Sequence, residues 1–166
     1  MIIFDSSTLI LLAKIHLLDL FVLDFPGLVV IPEQVKMEVS AKDREEVPLI
    51  LSLIKDKKIK VQKVKNKKEL IKLMADFNID LGETEAIAIA VNDKNNVLAT
   101  DDRNAIRACK ILKIDYVTSI SILIRAFEKG LLEKEEALIK LQNLQLFGRF
   151  KKEIIEGATK QIRREA

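Results

Sequence analysis

Short apolar runs alternate with helically spaced segments from Met1 to about Thr118, and two of those runs stop abruptly at acidic residues. Together these observations predict a three-layer α/β/α domain with a mostly parallel sheet, covered on both faces and extended by C-terminal helices. The 166 residues are 49% hydrophobic and 32% charged, which suits one compact core and excludes disorder or a collagen-like repeat. We expect residues 1–125 to form the α/β domain and 126–166 to be a helical extension of it.

Met1 to Phe4 is a short strand signal, Asp5-Ser6-Ser7-Thr8 a polar turn, and Leu9, Leu12, Ala13, His16 and Leu17 fall at helical spacing. Asp24-Phe25-Pro26-Gly27 is a turn cluster before the strand Leu28–Ile31, after which Pro32 starts a helix over Glu33–Ser40. Pro48 opens a further helix over Leu49–Ile54. Ile59–Val64 alternates apolar with Lys or Gln, as an edge strand does. Helical spacing returns over Glu69–Phe77, and Asp80 starts an almost wholly apolar helix that runs to about Asn92 and should pack inside the fold. Val97–Ala99 is the fourth strand, Asn104–Leu112 a helix and Tyr116–Thr118 the last strand. Helices follow at about Ile120–Glu128, Lys134–Leu144 and Phe150–Arg164, with Gly130 and Gly148 near the breaks.

Cys109 and His16 are the only residues of their kinds, so no intrachain disulfide and no zinc site of sulfur and nitrogen ligands can be assembled. Both read as structural residues. The N-terminus lacks a basic leader and the apolar runs fall short of the roughly 20 residues of a membrane span, so the expectation is a cytoplasmic protein with no membrane partner. A serine–histidine mechanism is disfavoured because His16 stands alone in an amphipathic helix and no G-x-S-x-G elbow is present, and a glycine-rich phosphate loop is also missing.

In a parallel sheet the strand carboxyl ends lie on one edge, where ligands bind. Asp5 ends the first strand, and Thr100, Asp101 and Asp102 end the fourth. Glu38 lies about one and a half turns into the helix after the second strand. Glu83 and Glu85 sit about 200° apart near the start of the apolar helix, so they cannot face one point equally. Asp80 and Glu83 have capping-box spacing, and Asp101 or Asp102 can cap the helix that follows. Carboxylates gathered at one edge raise each other's pKa unless a cation neutralises them, and Mg²⁺ or Mn²⁺ suits a site built from oxygen alone.

Asp5-Ser6-Ser7, Glu38, Gly82-Glu83-Thr84-Glu85-Ala86-Ile87-Ala88 and Thr100-Asp101-Asp102-Arg103 together resemble the ordered acidic motifs of PIN-domain nucleases. The similarity covers residue 1 to about 125 and is nearest the small prokaryotic, toxin-like (VapC-like) branch. The resemblance implies an endoribonuclease dependent on Mg²⁺ or Mn²⁺, with Asp5, Glu38, Glu85 and Asp102 as metal ligands. Glu83 and Asp101 stand as alternates or supporting acids, and Ser6 and Thr100 as supporting hydroxyls. It further implies an RNA substrate, an antitoxin protein as partner and a homodimer.

Residues 55–68 carry eight lysines and one aspartate, a local charge of +7 inside a chain of net charge +3. Lys60, Lys63 and Lys65 are candidates for guiding RNA, although lysines on an edge strand also deter sheet-to-sheet pairing. Aromatic residues make up 5% and Trp is absent, which argues against extensive base stacking. A catalytically inactive PIN-like binding module and a hydrolase of small phosphate esters are the rival readings.

Overall fold

The computed structural model describes residues 1–164. Five strands, β1 (Ile2–Phe4), β2 (Val29–Pro32), β3 (Ile59–Gln62), β4 (Val97–Ala99) and β5 (Asp115–Val117), form one sheet in the order β3-β2-β1-β4-β5, and every pairing is parallel. Ten helices connect and extend them: α1 (Ser6–Lys14), α2 (Leu18–Asp24), α3 (Glu33–Ser40), α4 (Val47–Lys55), α5 (Lys67–Phe77), α6 (Leu81–Ala90), α7 (Arg103–Leu112), α8 (Ser119–Glu128), α9 (Lys134–Phe147) and α10 (Lys152–Arg164). The fold is the expected three-layer α/β/α arrangement.

The two-residue period of a strand decides which layer each side chain joins. Ile2, Phe4, Val29, Ile31, Ile59 and Ala99 point to one face and pack with α1, α4, α8, α9 and α10. Ile3, Val30 and Leu98 point to the other and meet Ala86, Ile87, Ile89 and Ala90 of α6 and Ala105, Ala108 and Cys109 of α7. The strands are short and apolar because helices cover both faces. β3 is an edge, as its alternating pattern predicts. Burial pushes the Cys109 thiol up to about 11, which keeps it protonated and leaves it a packing residue.

One departure lies between residues 15 and 17. The continuous spacing from Leu9 to Leu17 suggests one helix, yet α1 ends at Lys14 and α2 leaves it at an angle of 105°. His16 adopts a left-handed backbone (φ 53°) that no periodicity signals. The turn is secured from far along the chain: buried Lys140 of α9 donates from Nζ to the carbonyls of Ile15 (2.9 Å) and His16 (3.0 Å). A cation at a helix C-terminus also complements the helix dipole.

Replacing Lys140 by Met keeps the packing but strands these carbonyls. The expected loss is about 2–3 kcal/mol, the magnitude of hydrogen bonds to a charged group, read as a lower urea midpoint. An unchanged midpoint would show that the turn does not need Lys140.

Candidate active site

β1 and β4 are neighbours at the centre of the sheet and pair Phe4 with Ala99, so the residues that follow them emerge side by side. The chain runs from β1 to β2 on one side and returns through β4 on the other, so this is the switch point at which such sheets bind ligands. Asp5 is the N-cap of α1, its Oδ1 accepting from the Thr8 N–H at 2.7 Å. It is 2% exposed, and its Oδ2 is buried with no hydrogen-bond partner among the described residues. Burial pushes its carboxyl up to about 6; the Thr100 hydroxyl and the Thr8 N–H oppose the rise, and the charge of Asp101 adds to it. Ser6, the first residue of α1, is buried beside it.

The other acids also cap helices. Asp102 is the N-cap of α7, with Oδ1 accepting from the Ala105 N–H at 2.8 Å, while its own N–H donates to the Thr100 hydroxyl at 3.2 Å. Asp101 uses both oxygens: Oδ1 accepts from the Ser119 N–H at the start of α8 (3.0 Å), and Oδ2 from the Thr8 hydroxyl (3.4 Å). It therefore ties α1 to α8. Burial raises its pKa against those donors.

Glu83 and Glu85 diverge as the helical angle requires. Glu83 completes a capping box with Asp80 and faces a cleft, whereas Glu85 turns to α3 and accepts from the Gln34 N–H at 3.0 Å. The Gln34 side chain donates in turn to Glu38 Oε1 at 3.2 Å, so Glu38 and Glu85 share one anchor. Burial, with the charges of Asp80, Asp102 and Asp5, pushes Glu83 up to about 7, although the Asp80 N–H works against this. Gly82 makes room for Glu38: a Cβ on Gly82 would lie 2.8 Å from Glu38 Oε1 and 3.0 Å from Oε2.

The cleft, about 420 Å³, is lined by Glu83, Asp101 and Asp102 and also by Lys14, Lys42, Arg44 and Arg149. Lys60, Lys63 and Lys65 do not line it; Lys63 pairs with Glu33 of α3 at 3.4 Å. The linking roles of Thr8, Gln34 and Ser119, and the cations of the cleft, are the parts that sequence reasoning misses. For Thr8 the signal is its place three residues after Asp5, the spacing of a cap acceptor and donor. The cations come from separate segments that only the fold brings together.

Asp5, Glu38, Glu85 and Asp102 each keep one carboxylate oxygen without a hydrogen bond to a described residue, while Asp101 keeps none. That donor set and the buried, unpartnered Oδ2 of Asp5 suit an oxygen-bound divalent cation. As they stand, no three acidic, histidine or cysteine side chains among the described residues converge closely enough to hold an ion.

The family model described as the PIN domain matches residues 1–163, and the chain belongs to that family, whose members are in general nucleases. The match runs through the C-terminal helices as well as the α/β layers. No curated protein sequence matches the chain.

Asp5 makes stability depend on pH. Its folded pKa of about 6 exceeds the ordinary 3.8, so its favourable contribution is complete below pH 3.8 and is lost as pH rises through 6. Without added metal, Asp5→Asn retains the cap acceptor and escapes that loss. The variant should be more stable than wild type by about 2–3 kcal/mol at pH 8 and by little at pH 4, measured by urea unfolding. Equal stability at pH 8 would mean that Asp5 is not strained by burial.

Proposed function

We propose that the chain is a cytoplasmic endoribonuclease dependent on Mg²⁺ or Mn²⁺, with Asp5, Glu38, Glu85 and Asp102 as the cation's ligands. The single observation that carries this reading is the buried Oδ2 of Asp5, which has no hydrogen-bond partner among the described residues at the carboxyl end of β1. A divalent cation bound there would supply charge neutralisation at the phosphodiester and acidify the attacking water. Thr8 and Thr100 fix Asp5 and Asp102 through their hydrogen bonds. Asp101 holds the strand end to α8. Glu83, pushed to about 7, is matched to receive a proton from water at neutral pH. As in the toxin-like branch that the sequence resembles, the chain would form a homodimer and be restrained by an antitoxin protein.

A second reading, an inactive PIN-like module, draws on the lack of three converging acids among the described residues. Calorimetric titration with Mn²⁺ separates the two, since the inactive module would bind little. For the enzyme, Mn²⁺-dependent cleavage of pooled RNA should fall at least ~100-fold in Asp5→Asn, and undiminished cleavage would remove Asp5 from the site.

The two glutamates give separable outcomes. Gln in place of Glu83 preserves a capping box, so the fold should hold while kcat drops by roughly 10²-fold, with Mn²⁺ affinity little changed. Glu85→Gln preserves the acceptor for Gln34 and should instead weaken Mn²⁺ binding. The opposite assignment of the two losses would exchange their roles.

Gly82→Ala tests Glu38 without touching it. Ala favours the helix, and the atom it meets ends a flexible side chain, so the melting temperature should not fall. Displacing the Glu38 carboxylate should nevertheless reduce cleavage by about tenfold or more, the cost of misplacing a reacting group by an ångström or so. Full activity in a stable variant would take Glu38 out of the reaction.

A further inference from the structure

Lys42 and Arg44 lie in the loop between α3 and α4, and Arg149 lies in the loop between α9 and α10, yet all three line the cleft that holds Glu83 and Asp102. None of them enters any of the six ion pairs among the described residues, so their charge is not spent inside the protein. Lys14 lies beside them, 4.0 Å from Glu46 and with its Nζ 5.2 Å from the centre of the Phe147 ring. Phe147 lines the cleft and is 48% exposed, so part of its ring is open to a ligand. Phe150, half-buried against the core, presses on Gly148, where a Cβ would lie 2.3 Å from its ring.

We propose that this wall is a track for single-stranded RNA, in which Lys42, Arg44 and Arg149 take backbone phosphates and Phe147 stacks on one base. Unpaired cations that share a cleft with acids suit a polyanion whose scissile phosphate lies at the carboxylates while its neighbours are held by the cations. A single strand leaves its base faces open, and one exposed aromatic beside a basic groove is the stacking platform that such a strand meets. The track deepens the nuclease reading and assigns substrate binding to the α3–α4 loop and the C-terminal loop. The lysine-rich β3 strand lies outside it: Lys60 and Lys65 do not line the cleft, and Lys63 is paired with Glu33.

The test uses a fluorescent single-stranded RNA 12-mer, titrated by anisotropy with excess EDTA so that binding is read without cleavage. The triple variant Lys42→Gln/Arg44→Gln/Arg149→Gln should bind at least tenfold more weakly at moderate salt. The slope of log affinity against log salt should flatten by about 2, at roughly 0.7 per lost phosphate contact. Phe147→Ala should weaken binding about fivefold or more with the salt slope unchanged, because stacking releases no counterions. In Mn²⁺ the triple variant should raise KM and leave kcat for saturating RNA near wild type.

Unchanged affinity and slope in the triple variant would overturn the track, as would a loss confined to Lys60→Gln/Lys63→Gln/Lys65→Gln. Tighter binding to the matching duplex than to the single strand would overturn it too. Wild-type protein that binds with the expected slope but cleaves no RNA would defeat the nuclease reading and leave the track standing.

Discussion

The pairing of β1 with β4 is the constraint from which the rest of the site follows. It joins two strands nearly a hundred residues apart, at the centre of the sheet, in a register that sets Phe4 against Ala99. One residue of slip would turn Phe4 and Ala99 toward the opposite layer and carry Asp5 away from Thr100. The register is held by burial on both faces: Phe4 and Ala99 have no exposure, and neither do Ile3 or Val30 beside them. An apolar core laid down by helices on two sides thus fixes where the first and last acidic motifs meet.

That edge also collects helix N-termini. Asp5 caps α1, Asp80 with Glu83 caps α6, and Asp102 caps α7, while Glu85 and Asp101 accept from the opening turns of α3 and α8. Each cap supplies an acceptor for otherwise orphaned N–H groups and places negative charge at the positive end of a helix dipole. Asp5, Glu85 and Asp102 use one oxygen in this way and keep the other, so a hydrogen bond that stabilises a helix also orients a potential ligand. Such anchoring makes it affordable to keep mutually repelling acids so close, though not free of strain, since Asp5 and Glu83 still sit well above the usual carboxylate range.

The strands and most helices were legible because their apolar periods are local. The double role of the acids was half legible: Asp80 and Glu83 show the spacing of a capping box, and Asp102 sits where an N-cap belongs. The 200° between Glu83 and Glu85 requires that they part, but which of them turns to the cleft depends on α3 and the Gln34 N–H, contributed by residues half the domain away. The sequence pattern favours Glu85 as a site residue; the fold sets Glu83 before the cleft and joins Glu85 to Glu38 through Gln34. The conspicuous lysines of β3 follow the logic of an edge strand, whereas Lys42, Arg44 and Arg149 are scattered singly and carry no local signal. The turn at His16 was hidden for a similar reason, since the Lys140 that satisfies it is more than a hundred residues away.

The C-terminal helices are part of the site's frame. α1 spans nine residues, about 13 Å, with Asp5 at one end and the Lys140 anchor just beyond the other. Lys140 fixes α9 to α1, and two turns later α9 ends at Phe147, so the loop carrying Gly148 and Arg149 is positioned against the same helix that begins at Asp5. The acidic side of the cleft and its C-terminal side therefore share one rigid reference. Because α9 and α10 add Ala137, Leu141, Leu144, Ile155, Ala158 and Ile162 to the core that also contains Phe4, their packing and the geometry of the acid edge are set by one cooperative unit.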